Sequence, residues 1–555
     1  MGGRVSSAAM ASSSGDASSK ATPAAITRRD LLSAAVATST GSAFGCTPEP
    51  PVDASGWSTQ RGTEYVLSRA YNGPTCARQV SDVVAQAERS LRRVRMTGSG
   101  LSFSDVAICD DWLLSPRGLA RIFDDVDRSR LRSGLASASR LVRIQSGVRI
   151  RELNQTLDRR GLALANMGGW DEQTFVGAAM TGTHGSGLDY GPLASQIASI
   201  QLVGPGGRLL QVEPSNGITD RATFAGHLED DSSLRIDLVQ DDDLFDAVVV
   251  SMGSMGIVYA VVLEAVPKFW LIERRTLTTW EDLAASTGDL PRLVRGEAVS
   301  SDLGRPDHFE VFYTPYSDAT GKHMALLTQR WRRAPEPPIR GTNRQGSIWY
   351  SLLTALGLGA DMAHLLEPYV ARFDRAQILS FHQTALSQLA EDHYVNVGYE
   401  VFNTGRPNQL MVYGIEMAFD VSQAVEAVNR SFALATSLAN DGIYQTSPIS
   451  LRFVAASGAH LAMQHGRTTM TMEVPMAVGI PGAEEVLRRY ELELMSSMGA
   501  RPHWGLDRNV LHGTDQVARL YPQWPRWRDA FRRLNPLGVF DGRFTDRLGI
   551  SGRSV

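Results

Sequence analysis

Apolar residues at Val80, Val83, Val84, Ala87 and Leu91 follow helical spacing, which predicts a helix with one face turned to a core. Arg93 to Met96 then alternates charged and apolar positions like a strand and runs into Gly98-Ser99-Gly100. Leu141 to Val148 alternates as a second strand. Ile150, Leu153 and Leu157 mark a helix face behind it, Gly161 stops that helix, and Leu162 to Leu164 restarts extended chain. Ser199 to Val203 and Leu209 to Val212 flank Gly204-Pro205-Gly206-Gly207 and read as a hairpin. The β-branched run from Gly256 to Val266 reads as a buried strand, and the acidic stretch 214–243 before it as a solvated loop feeding a helix. Such a mixture predicts an α+β domain ending near residue 268. Beyond Pro267 the pattern changes. Arg333 to Pro338 punctuates the chain, Ile348 to Phe373 reads as largely helical, and strand-like stretches return around 409–418 and 448–456. These predict a second α+β domain.

Composition narrows the class. The chain has 555 residues, against about 100–200 for a typical domain, so two or more domains are expected. Hydrophobic residues at 43% and charged residues at 21% exclude wholesale disorder. Lys plus Arg is 55 and Asp plus Glu is 59, a net charge of −4, without the basic surplus of a nucleic-acid binder. Cys46, Cys76 and Cys109 are too few for a disulfide framework or a four-thiolate zinc site. Whether Cys76 and Cys109 pair is open at this stage.

The first residues read as an address. Residues 1–25 have the Ser/Ala/Gly-rich composition of disorder. Arg28-Arg29, followed by the weakly apolar run Leu31 to Phe44, resembles a bacterial twin-arginine export signal. That run is too short for a membrane span, which needs roughly 20 residues. Ala43-Phe44-Gly45-Cys46 resembles a lipoprotein processing site and implies a lipid anchor at Cys46. The expectation is a signal over residues 1–46, a flexible linker over 47–62, and export to a periplasmic or extracytoplasmic, membrane-anchored location.

Two glycine loops carry the candidate chemistry. Thr97 to Ser104 follows a strand as Thr-Gly-Ser-Gly-Leu-Ser-Phe-Ser, and Thr181 to Gly187 reads Thr-Gly-Thr-His-Gly-Ser-Gly. Glycines let successive backbone N–H groups converge on an anion, and the Ser and Thr hydroxyls add donors. Neither loop has the G-x-G-x-x-G of a Rossmann turn or the Gly-Lys-Ser/Thr of a P-loop. His184, His503 and the carboxylates lack ligand-type spacing, so no metal site is expected.

The two loops in this order, with Gly161 to Leu164 between them and Met252-Gly253-Ser254-Met255-Gly256-Ile257 after them, resemble the FAD domain of vanillyl-alcohol-oxidase-type flavoproteins. The chain is similar to the sugar-lactone and alditol oxidase branch, which includes gulonolactone and arabinonolactone oxidases and galactonolactone dehydrogenase. Arg501-Pro502-His503-Trp504-Gly505 and Asn535 to Phe540 extend that resemblance to the C-terminus. It implies an α+β two-domain fold: an FAD-binding domain over 63–268, a substrate or cap domain over 269–500, and a C-terminal segment over 501–555 that returns to the flavin. Gly98, Ser99, Gly100, Leu101, Ser102, Thr181, Gly182, Thr183, His184, Gly185, Gly187, Gly256, Ile257 and His503 are the implied cofactor contacts. His184 is expected to hold its loop by hydrogen bonds rather than to do chemistry.

The chain also departs from that branch. Many relatives bond flavin to a first-loop histidine; Leu101 stands there and implies non-covalent FAD. Pro448 to Val454 resembles the segment where relatives carry Glu-x-Arg, with Arg452 retained and Ser450 in place of the glutamate. Leu506 stands where several relatives have lysine. Glu416 and Glu473 lie in nearby strand-like segments, placed either to replace the missing carboxylate or to form buried structural pairs. The losses at 450 and 506 remove polar contacts for small polyols or sugar lactones and point to a larger or more apolar alcohol. The expected activity is oxidation of a CH–OH group, with His503 as base and Arg452 stabilising charge, and with oxygen or a membrane electron acceptor as final oxidant. The alternative is a catalytically degenerate flavin- or ligand-binding lipoprotein.

Overall fold

Pairing begins earlier than the sequence suggests. The computed structural model describes residues 52–60, 62–299, 302–334, 372–403, 412–477, 480–506 and 509–552. Within the expected linker, Val52–Ser58 (β1) pairs antiparallel with Tyr65–Asn72 (β2), and Trp57 packs on a small core with Val66, Cys109 and Leu113. An aromatic residue with a core to join makes a strand of what composition reads as tether. The signal and lipid-anchor expectations fall on residues 1–46, and the helix expected over 348–373 falls almost wholly on 335–371; both lie outside the described residues. Cys109 is a free, buried thiol, so it does not pair with Cys76.

β2 runs parallel to Trp112–Leu114 (β4), which pairs with Val94–Met96 (β3), in the order β1-β2-β4-β3. The helix Ala77–Arg89 buries Val80, Val84 and Ala87 beneath it. That helix ends before Leu91, which is exposed with positive φ. A second, six-stranded sheet contains Leu141–Gln145 (β5), Ile197–Val203 (β7), Leu209–Glu213 (β8), His227–Leu228 (β9), Asp231–Gln240 (β10) and Ile257–Glu264 (β11). Leu162–Ala163 (β6) and Val266–Pro267 (β12) form a short separate pair. The six strands lie in the order β5-β11-β7-β8-β10-β9. β10 corrects the loop expected over 214–243. Leu234 and Ile236 are buried while Arg235 and Asp237 are exposed, so the acidic residues decorate the solvent face of a strand.

The remaining chain builds one eight-stranded antiparallel sheet. Its strands are Trp270–Thr279 (β13), His308–Tyr313 (β14), Met324–Arg333 (β15), Glu391–Val397 (β16), Val412–Asp420 (β17), Ile449–Val454 (β18), Thr469–Ala477 (β19) and Arg501–Pro502 (β20). The order is β16-β13-β15-β14-β18-β19-β17-β20. Side chains alternate between faces with a period of two. Val311, Ile415, Leu451 and Met472 therefore share one apolar face, packed under the helices Ala424–Asn440 and Ala483–Met498. The charged residues between them share the other face.

That sheet is fastened to the first half of the chain. The Gly187 N–H donates to Phe453 O at 2.5 Å. Arg332 donates to Ala165 O and lies over the rings of Tyr190 and Phe269. The last fifty residues return to β3 and the first loop: Phe103 N–H donates to Gly505 O at 2.7 Å, Ser104 Oγ to Trp504 O at 2.6 Å, and Arg547 forms a two-pronged pair with Asp105 at 2.8 Å.

Candidate active site

Three glycine segments meet around one cleft whose space, including the part open to solvent, is about 970 Å³. Gly98 to Ser102 enters directly after β3, Gly177 to Thr183 leaves the helix Phe175–Met180, and Met252 to Val258 leads into β11; Thr174, His503, Gly505 and Leu506 complete the wall. The first two segments touch across Thr174: a Cβ on Gly98 would lie 3.0 Å from its Oγ1, and one on Gly177 only 2.7 Å away. Arg95 ties the third segment to the chain after the first loop and to the C-terminal return, donating to Met252 O, to Val106 O at 2.5 Å and to Phe540 O at 3.0 Å. Met252 itself carries a positive φ of 50°, the strained backbone that a wall over-determined by its neighbours can hold.

The cavity suits an extended dinucleotide. Among the described residues the buried Ser99 hydroxyl has no partner, and glycine-rich backbone faces the space from two sides. Both features match a ligand with phosphate oxygens to satisfy. Of the expected contacts, Gly98, Ser99, Gly100, Leu101, Ser102, Thr181, Thr183, Gly256, Ile257 and His503 line the space. Gly182, His184, Gly185 and Gly187 do not. They shape the loop instead: a Cβ on Gly185 would meet Met167 O at 2.5 Å, and Gly187 bonds the cap sheet.

His503 links this cavity to the charged face of the cap sheet. Its backbone N–H donates to Glu416 O at 2.9 Å, and its Nδ1 accepts the Gly505 N–H at 3.0 Å. With Nδ1 used as an acceptor, the neutral ring carries its proton on Nε2. Burial pulls His503 down to about 4, Glu416 opposing and His184 reinforcing the shift. At neutral pH the ring is therefore an uncharged donor, which fits poorly with the base role expected from its position.

Cross-strand register sets the rest. Glu416 on β17 faces Glu473 on β19, and Glu473 faces Ser450 on β18. One step along, Arg452 faces Thr471 on one side and Glu310 of β14 on the other. His184 Nε2 approaches Glu416 Oε1 at 3.2 Å, off the ideal hydrogen-bond line, while its Nδ1 donates to Gly185 O at 2.8 Å. Burial resists ionisation of Glu416, but His184, His503 and Arg452 outweigh it and hold the carboxyl well below the usual range. Glu473 goes the other way: burial raises it, Arg452 offsets part of the rise, and the Glu416 charge adds to it.

Behind Arg452 stands a row of buried charge that the sequence reading missed. Arg452 Nε lies 3.5 Å from Glu310 Oε2, Arg330 clamps Glu310 and Glu273 at 2.6 Å each, and Arg275 lies 2.8 Å from Glu273. The available signal was period-two charge inside apolar strands, as in His308-Phe309-Glu310-Val311. Among the described residues no group of three or more His, Cys, Asp or Glu side chains is placed to hold a metal ion.

This geometry agrees with the comparisons to known proteins. Residues 69–213 match an FAD binding domain, and residues 263–548 match the D-arabinono-1,4-lactone oxidase family. An L-gulono-1,4-lactone dehydrogenase of Mycobacterium tuberculosis is 28% identical over 496 residues, covering 89% of this chain and 98% of the relative. An L-gulonolactone oxidase of Scyliorhinus torazame is 25% identical, covering 88% and 97%. In fold the chain is similar to a solvent-stable cholesterol oxidase, with TM-score 0.67 and 14% identity over 90% of this chain and 98% of that one. The cholesterol oxidase of B. sterolicum gives 0.66 and 13% over 89% and 96%. With a glycine-lined dinucleotide cavity at one end of His503 and a charged sheet face at the other, and with a family match spanning that sheet and the C-terminal return, the chain belongs to the D-arabinono-1,4-lactone oxidase family and is an FAD-dependent oxidoreductase acting on CH–OH donors.

Proposed function

We propose that this chain oxidises a ring or chain CH–OH group of a small lactone or related hydroxylated alcohol at the junction of the cavity and the charged sheet face. The observation that carries the reading is His503, whose ring lines the cavity while its backbone is bonded to Glu416. FAD bound there would supply a two-electron acceptor for the hydride that leaves the substrate carbon, and the hydroxyl proton would pass out to solvent. The first-loop backbone and the Ser99 hydroxyl hold the phosphates. Neutral His503 would donate through Nε2 to charge that develops on substrate or cofactor, and Arg452 supplies a fixed cation to the carboxylate row of Glu310, Glu416 and Glu473. Leu101 lines the cavity with hydrocarbon and offers no nucleophile, which supports dissociable FAD.

The larger, apolar alcohol expected from Ser450 loses its main support, because Glu473 stands directly across from Ser450. The same register weakens the degenerate binding-protein alternative. Export behind residues 1–46, with lipid at Cys46, is part of the proposal and rests on the arginine pair and the Cys46 context.

An absorption spectrum of the purified protein, before and after acid precipitation, tests the cofactor. Flavin that moves wholly to the supernatant is the expected result, and yellow retained in the pellet would refute the role given to Leu101. Anaerobic reduction by a panel of aldonolactones and larger alcohols then tests the reaction. Bleaching by lactones supports it, whereas FAD that no CH–OH compound reduces would favour the binding protein. Reoxidation by air compared with a quinone identifies the electron acceptor.

A further inference from the structure

We propose that Glu473 reads a hydroxyl group of the substrate and makes the site selective for polyhydroxylated lactones over apolar alcohols. The inference deepens the reading above and rests on it. Four observations support it. Glu473 sits in one cross-strand row between Ser450 and Glu416. Ser450 Oγ donates to its Oε2 at 3.2 Å, orienting the carboxyl, and among the described residues Glu473 makes no other hydrogen bond and no ion pair. Glu473 and Arg452 keep part of their surface open, while Ser450, Thr471, Glu416 and Glu310 around them are buried. A carboxyl that is oriented, uncommitted and open at the mouth of a buried charged row is placed to take a ligand.

The groups facing it complete the picture. Glu416 approaches from β17, Ser450 and Arg452 from β18, and the His184 ring from its loop, while His503 acts on Glu416. Burial and the Glu416 charge favour the protonated form of Glu473. A carboxyl accepts from an alcohol hydroxyl in either protonation state, and its acid form donates as well. Apolar alcohols would leave it unpaired, which is the basis of strong rejection.

The test compares the wild-type holoenzyme with Glu473→Ala, Glu473→Gln and the double variant Ser450→Glu/Glu473→Ala on an aldonolactone and its deoxy analogues. Retained flavin and an unchanged unfolding midpoint establish folding of each variant. For the parent lactone, Glu473→Ala should raise KM about 10- to 100-fold with kcat little changed. That penalty should vanish for the one deoxy analogue lacking the contacted hydroxyl. Glu473→Gln keeps an acceptor and a donor at the same place, so it should retain much more affinity than Glu473→Ala. The double variant carries its carboxyl on the facing strand, with Cβ atoms about 5 Å apart, and should recover part of the affinity. An equal loss on the parent and every analogue, or no change in KM, would overturn the assignment and leave Glu473 structural. If Glu473→Ala does not fold, Glu473→Gln on the deoxy series decides alone, and an equal change on the parent and every analogue overturns it. Wild-type protein that holds FAD but neither binds nor is reduced by any lactone refutes the proposed function and this assignment together.

Discussion

His503 shows how one backbone contact redirects a side chain's chemistry. Position alone suggests a base; the Gly505 N–H on Nδ1 makes the ring a donor at Nε2. Two substitutions separate these roles. His503→Gln keeps an N–H in the same region and should retain most activity, whereas His503→Ala should cost about 10²–10³ in kcat, the usual loss for one oxyanion-type donor. Equal collapse of both variants in steady-state assays would restore the base. Because burial leaves His503 neutral down to about 4, it should contribute no inflection between pH 6 and 7 to the profile of kcat/KM. Arg452 was singled out from the sequence, and the structure places it in the charged row. Its partner Glu310 was not singled out, because cross-strand pairing joins residues far apart in sequence.

Elements were legible where one periodicity dominated. The helices Ala77–Arg89 and Ile150–Arg159, the hairpin β7–β8 and the buried β11 all stand close to where spacing put them. Acidic β10 and Pro-flanked β1 were missed, because composition suggested solvent while neighbouring strands supplied partners. Gly256 illustrates the same limit. The sequence places it as a cofactor contact, and it lines the cavity, yet its φ of 141° and the 2.5 Å from a Cβ to Leu202 Cδ1 show a tight strand crossing as well. Gly256→Ala should therefore destabilise the fold by about 1–3 kcal/mol, visible as a lower thermal midpoint even without FAD. An unchanged midpoint would mean the strands yield.

At the scale of the molecule, the cavity is walled by residues from Arg95 to Leu506, so occupying it ties distant segments together. Added FAD should raise the unfolding midpoint, with about 2.7 kcal/mol of stabilisation at a hundredfold excess over Kd. A midpoint indifferent to FAD in flavin-stripped protein would contradict the cavity assignment. Acid should act in the opposite sense. Burial holds His382, His460 and His503 down to about 4 each, whereas unfolded histidines take protons near 6.5. Between those values the unfolded chain binds more protons, so stability falls as pH drops from about 6.5 to 4, by up to about 1.4 kcal/mol per pH unit for each histidine. Denaturant melts across that range should show the decline, reduced by Asp246, which burial and its acidic neighbours raise to about 6 so that it takes a proton in the fold; stability that rises as pH falls would mean that these rings are protonated in the fold.

The sequence by itself determined the cofactor and the general architecture. Glycine loops and strand periodicity are local features, and a loop that must approach a phosphate closely is marked by the residues within it. Tertiary structure alone decided the chemistry of the site. Which carboxylate stands beside Ser450, which cation holds Glu310, and which nitrogen of His503 carries its proton all depend on register between strands and on contacts across hundreds of residues. Such contacts leave no local trace, because each partner taken alone is an ordinary polar residue in an apolar strand.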